Sequence, residues 1–155
     1  MGYVPNDAEW YLAELVQELV VAGDPHNVIW RNLTLIHASS PDDAYEKALG
    51  LGRAGDTEYL NPAGKLVTTR FRGISFMDVV HDPLEHGAEL LFHSETQVSE
   101  EQVAKLLRSK EELELFRPNE RLAGPDVASG DVVREAESLS GAHRPESRSR
   151  KSGLR

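Results

Sequence analysis

Apolar and polar positions along Trp10–Val21 alternate in a way that fits two elements at once. Leu12, Leu15, Val16 and Leu19 fall at helical spacing, and the Ala, Glu, Gln and Leu content favours helix slightly. With a period of two, Tyr11, Ala13, Leu15 and Leu19 line one face, interrupted by Gln17, and Trp10, Leu12 and Val16 share the other with Glu14 and Glu18. The next run is clearer. Residues 28–37 are rich in β-branched and aromatic side chains, with Ile29, Leu33 and Leu35 on one face and Trp30 and Ile36 on the other, the signature of a strand. The loop Ala22–Asn27, with Gly23 and Pro25, can close a hairpin between the two segments.

A helix is predicted to follow. Ser40 supplies an N-cap, Pro41 occupies the first helical position where its missing N–H costs nothing, and Asp42 and Asp43 favour the positive end of the helix dipole. Ala44, Tyr45, Ala48 and Leu51 are expected to share its buried face, and Gly52 or Gly55 to end it in a left-handed cap. Asn61-Pro62-Ala63-Gly64 reads as a turn that opens a long extended run, Lys65–Val80, in which Gly73 marks a bulge. His81-Asp82-Pro83 ends that run, and Ala88–His93 reads as a short final strand. Ser99 and Gln102 form a capping box for a second helix with a narrow stripe of Val103, Leu106 and Leu107. Beyond Arg117, prolines, serines, glycines and mixed charge without an apolar period predict a disordered tail.

Trp10-Tyr11-Leu12-Ala13, Leu33-Thr34-Leu35-Ile36, Ser40-Pro41-Asp42-Asp43-Ala44-Tyr45-Glu46-Lys47-Ala48 and Arg70-Phe71-Arg72-Gly73 together resemble a bacterial family, the domain of unknown function 4288 family. The likeness spans about residues 9–93. It implies that Trp10–Val21 is a strand leading into a hairpin, and it brings no reaction, cofactor or catalytic residue. The expected fold is therefore α+β: a four-stranded antiparallel sheet in the order β-β-α-β-β with one helix packed on it, then a C-terminal helix and a tail. The expected divisions are residues 1–95, 96–117 and 118–155. Four strands about 4.8 Å apart make a sheet nearly 20 Å wide, whereas a helix is about 10 to 12 Å across. Something besides the first helix must cover the sheet, and the second helix is the candidate. Trp30 and Ile36, or Trp10 and Leu12, would then form an apolar patch on the opposite face that favours self-association.

Composition narrows the function classes. The chain has 155 residues, room for one core, with 39% hydrophobic and 28% charged residues and no cysteine. Disulfides, thiolate metal sites and a cysteine nucleophile are excluded. No apolar run approaches a membrane span and no signal segment is evident, which points to the cytoplasm. Residues 1–100 carry sixteen acidic and six basic side chains, a net −10, and residues 101–155 add +1 to give the chain's −9, so the folded part is the acidic part. Such a surface repels phosphate backbones, making nucleic acid an unsuitable partner, and steers basic proteins toward it. The last fourteen residues, with five basic side chains and one acidic, reverse that sign.

The motifs carry little chemistry. Gly50-Leu51-Gly52-Arg53-Ala54-Gly55 satisfies the dinucleotide-binding pattern in letters, yet it closes a helix where the pattern must open one, so helix termination explains it. His81, Asp82, Glu85 and His86 lack a diagnostic metal spacing, and neither a metal nor a cofactor is called for. Arg70 and Arg72 lie two apart on an extended segment and share a face. They could hold an anion, with Glu58, Tyr59 and His37 contributing, or pair with Glu14 and Glu18. The favoured expectation is an adaptor-like or immunity-like interaction domain without catalytic activity, binding a protein partner, a basic one suiting its charge, or a second copy of itself. The alternative is a small-molecule or anion-binding protein built on the arginine pair.

Overall fold

The computed structural model describes residues 3–117 and 123–141. Trp10–Val21 is a strand, β1, and it pairs along its length with β2, Asn27–His37, through the hairpin loop. Two strand neighbours satisfy the backbone of β1 on both edges, and this tertiary pairing overrides the local helix propensity of Leu, Ala and Glu. The helix α1 spans Pro41–Ala54; Ser40 Oγ accepts from the Asp43 N–H at 3.1 Å, and Asp43 in turn accepts from the Ser39 N–H at 2.9 Å. Next come β3, Thr57–Leu60, and β4, Leu66–Val79, giving the order β2-β1-β4-β3, with every pair antiparallel. The expected α+β class and four-stranded antiparallel sheet are both present.

Two of the expected elements differ. The fourth strand is not Ala88–His93, which is irregular, but Thr57–Leu60, which precedes β4. The Asn61–Gly64 turn closes this hairpin: the Asn61 N–H donates to the Lys65 carbonyl at 2.9 Å, and Asn61 Oδ1 accepts from the Lys65 N–H at 2.9 Å. A run of apolar residues becomes a strand when a neighbour can pair with it, and β4 takes β1 and β3 as its neighbours. The buried face of α1 contains Ala44 and Ala48 as expected but is turned toward Gly52 and away from Tyr45 and Leu51. Ala44, Ala48 and Gly52 are buried, whereas Tyr45 and Leu51 are half exposed, and Gly55 caps the helix with φ −81°, in the right-handed region.

Odd-numbered β1 residues point toward α1. Tyr11, Ala13 and Leu15 pack with Ile36, Ala38, Ala44, Ala48 and Val79, and Phe71, Ile74 and Met77 border this cluster. A second cluster, Leu19, Val21 and Val67, lies on the same face. The expected cover for it was the second helix. α2, Glu100–Leu106, has the predicted capping box but buries no residue, and Leu106 and Leu107 are about two-thirds exposed. The cover comes instead from beyond Arg117: Val127 packs on the second cluster, Val127 O accepts from the Tyr59 hydroxyl at 2.5 Å, and Asp126 O accepts from Asn61 Nδ2 at 2.9 Å. α3, Gly130–Gly141, follows, its first residue so close to the Leu60 and Asn61 carbonyls that a Cβ there would sit 3.3 Å from each. The expectation of a tail without structure from Pro118 is therefore narrowed, because Asp126–Gly130 belong to the core's cover. The basic residues of 142–155 lie outside the described residues.

Candidate functional site

The opposite face of the sheet belongs to the even-numbered residues of β1. Two register irregularities shape it, between Glu14 and Leu15 and between Val16 and Gln17, where β4 carries the extra residues Ser75 and Arg72. Gly73 sits at φ +142°, a conformation that a side chain strains against, so the expected bulge at this glycine is present. Its effect is to keep both Arg70 and Arg72 on the open face while Phe71 and Ile74 stay on the core side.

Two small polar networks result. Arg31 clasps Glu14 through Nε and Nη2 at 3.0 and 2.7 Å, and Ser75 Oγ donates a short hydrogen bond to the same carboxylate oxygen. Glu18 takes Arg72 Nη1 on one oxygen at 3.2 Å and Asn27 Nδ2 on the other at 2.7 Å. Arg70 lies opposite Glu18 in the register, yet has no ion-pair partner among the described residues; Glu18 instead accepts from Arg72 and Asn27. It borders, with Glu18, Val20 and Thr68, a shallow depression of 280 Å³ that is open to solvent. A smaller depression of 40 Å³ lies between Asp78–Val79 and the Glu89–Phe92 segment.

The hydrogen bonds from Ser75, first, and Arg31 hold the Glu14 carboxyl below its ordinary range. A carboxylate depressed in the fold adds stability above its unfolded pKa, and that contribution is lost as pH falls through the folded value. Replacing Glu14 by Gln is therefore expected to make the fall of unfolding free energy shallower below about pH 4.3, the ordinary glutamate value. Urea unfolding of the two proteins at a series of acidic pH values measures this. Equal slopes would show that the network does not couple folding to protonation.

Beside these networks runs an aliphatic row on β2. Ile29, Leu33 and Leu35 are 49%, 56% and 38% exposed, and Val20 on β1 is 42% exposed. The predicted interaction residues divide between the faces. Trp10 and Leu12 lie on the open face, but Leu12 is only 2% exposed, and Trp10 is half-buried with its ring centre 4.9 Å from that of His37 at a tilt of 53°. Trp30 and Ile36 are on the α1 face; Ile36 is in the core, and Trp30 is partly exposed beyond the helix. The solvent-facing apolar side chains of the open face are thus Ile29, Leu33 and Leu35 with Val20 on the β2 side, and Leu60 and Leu66 at the β3–β4 end; the two-faced pattern of β2 contained the first three.

The predicted anion ligands divide as well. Arg70, Arg72 and Glu58 share the open face, Glu58 being opposite Thr68. Tyr59 points to the other face, where burial raises its pKa and its hydroxyl is committed to Val127. His37 lies opposite Trp10, eight β1 positions away from Glu18 and Arg70, a separation of about 26 Å. Those five residues do not converge. Among the described residues no group of three or more His, Cys, Asp and Glu is placed to hold a metal, and no helix is long and apolar enough to cross a membrane.

No curated protein and no solved structure matches the chain. A family model described as Domain of unknown function (DUF4288) matches residues 10–92, which takes in the whole sheet and α1 and stops before the Val127 segment. With more than half of its length in that match, the chain belongs to the DUF4288 family.

Proposed function

We propose that this is a cytoplasmic protein-interaction domain without catalytic activity, and that it binds through the open face of the sheet on the β2 side. The observation that carries this reading is the row Ile29, Leu33 and Leu35, exposed along one face of β2 with Arg31, itself paired with Glu14, between Ile29 and Leu33. Exposed aliphatic side chains flanked by satisfied ion pairs can be desolvated at low cost, which is the composition of an interface centre with a polar rim. Anion binding has one observation in its favour, the unpaired Arg70 beside the 280 Å³ depression. A single exposed guanidinium over an open surface is a weaker anchor than a concave site with convergent donors.

Quantitative affinity capture from the source cell tests the proposal, with wild type compared against Leu33→Asp and Leu51→Asp. Both positions are about half exposed, so both variants fold, but Leu51 is on α1. Proteins enriched by wild type and by L51D are expected to be lost with L33D. Equal capture by all three would place any binding surface elsewhere.

A further inference from the structure

Among the described residues the outer edge of β2 is unpaired, and its geometry points to a second copy of this chain. We propose that two chains join β2 to β2 in antiparallel register about a two-fold axis at Asn32, making one continuous eight-stranded sheet. The proposal deepens the reading of the open face, since it would bring two Ile29–Leu33–Leu35 rows together across the axis.

The argument begins with the hydrogen-bond alternation. The Ala38 N–H donates to the Glu9 carbonyl at 2.9 Å, in register with the β1–β2 ladder, so the even-numbered residues of β2 direct their amides and carbonyls to β1. Those of Ile29, Arg31, Leu33 and Leu35 point away from it, and among the described residues no strand meets them. At the end of β2, Lys47 Nζ donates to the His37 carbonyl at 3.1 Å and closes that position. Asn27 shares the outward parity, so the outward positions left are Asn27, Ile29, Arg31, Leu33 and Leu35, and a two-fold axis at Asn32 pairs the last four among themselves. An antiparallel partner centred there sets Ile29 against Leu35 and Arg31 against Leu33, whereas a centre at Arg31 would oppose two like charges.

Charge selects the same edge. β1, β3 and β4 each carry at least one carboxylate, whereas β2, NVIWRNLTLIH, has none. In a chain of net charge −9, β2 is where two copies meet with least repulsion. Edge strands that stay single are commonly guarded by lysines, prolines or bulges along their length. Between Ile29 and Leu35 the one charge is Arg31, and it is engaged by Glu14.

The chain lacks cysteine, which makes a single introduced thiol an unambiguous reporter. Asn32 would face its own copy as a non-hydrogen-bonded pair with Cα atoms about 4.5 Å apart, within disulfide reach. Full-length Asn32→Cys is expected to form a covalent dimer rapidly under mild oxidation at protein concentrations where Glu58→Cys, on β3, does not. Leu33→Pro removes an outward N–H that β1 does not use, a position where an edge strand tolerates proline. Sedimentation equilibrium should show its dimer weakened about tenfold or more, one interchain donor being lost per copy. If L33P fails to fold, Leu33→Lys gives the same reading by charging the edge. Raising the salt should tighten the wild-type dimer by screening the two acidic chains. A wild type that stays monomeric at high micromolar concentration and high salt, N32C that crosslinks no faster than E58C, or a dimer indifferent to the folded Leu33 variant would each overturn the proposal. Loss of the dimer would leave the capture comparison of L33D and L51D standing as a separate test of the open face.

Discussion

Replacing Gly52 by valine is expected to destabilise the domain by about 3 kcal/mol, whereas Gly50→Ala two residues earlier stabilises it by about 0.5 to 1 kcal/mol. Both glycines are in α1, where any glycine costs backbone entropy relative to alanine. At Gly50 a Cβ would meet nothing within 4 Å, so the gain in helix propensity stands alone. At Gly52 a Cβ would fall within the Phe71 ring of β4, and Phe71 is itself packed against the core cluster. Either the ring leaves its rotamer or α1 lifts off the sheet, and both outcomes loosen Ala44 and Ala48, which are fully buried. The overpacking term is several times the propensity term and decides the sign. Urea unfolding of the two variants measures the contrast, and similar effects at both positions would mean that α1 does not pack as closely as the Gly52–Phe71 approach requires.

Ending the chain at Arg117 is expected to cost about 2 kcal/mol of unfolding free energy. The truncation uncovers Leu19, Val21 and Val67, which are at most 2% exposed, by removing Val127 from above them. It also removes the acceptors of the Tyr59 hydroxyl and of Asn61 Nδ2. The entropy released by freeing the segment offsets part of the loss, which keeps the net effect below that of an internal cavity of comparable size. Val127→Ala in the full chain should reproduce about 1 kcal/mol of it, mainly through lost burial. A truncated protein as stable as the full chain would show that the Val127 segment rests on the sheet without supporting it. Composition alone leads to that opposite expectation, because residues after Arg117 have no apolar period and the one valine that matters is preceded by Pro125 and Asp126.

The difference shows which signals a sequence carries. The Ser40 cap and the Gly73 bulge are local events encoded by one or two residues each, and both are legible. The alternation in β2 correctly separates Ile29, Leu33 and Leu35 from Trp30 and Ile36. What the alternation does not state is which face the helix takes, and the choice makes Ile36 core and Leu33 surface. β3 was less visible because its four residues, Thr-Glu-Tyr-Leu, are too few to show a period; the signal available was the Asn61–Gly64 turn flanked by Tyr59-Leu60 and Leu66-Val67, a hairpin in outline. Ala88–His93 has strand-like composition but pairs with no strand of the sheet. The glycines of the 50–55 segment read as helix terminators, and one of them, Gly52, is a packing glycine whose reason lies in Phe71, nineteen residues away in the chain. The shared face of Arg70 and Arg72 is legible from their spacing, and Glu18 accounts for one member, but the distance to His37 depends on strand register, which composition does not fix.

Both proposals rest on a sheet that is covered on one face and open on the other. Solvent paramagnetic relaxation of methyl groups tests this directly, with a neutral soluble gadolinium probe added to the full chain at concentrations low enough to keep it dilute. The methyls of Ile29, Leu33, Leu35 and Val20 are expected to relax strongly, and those of Leu19, Val21, Val67 and Ile36 to be protected. Equal protection of the two sets would mean that the Ile29–Leu33–Leu35 row is buried in solution, and would contradict the open face on which the function has been placed.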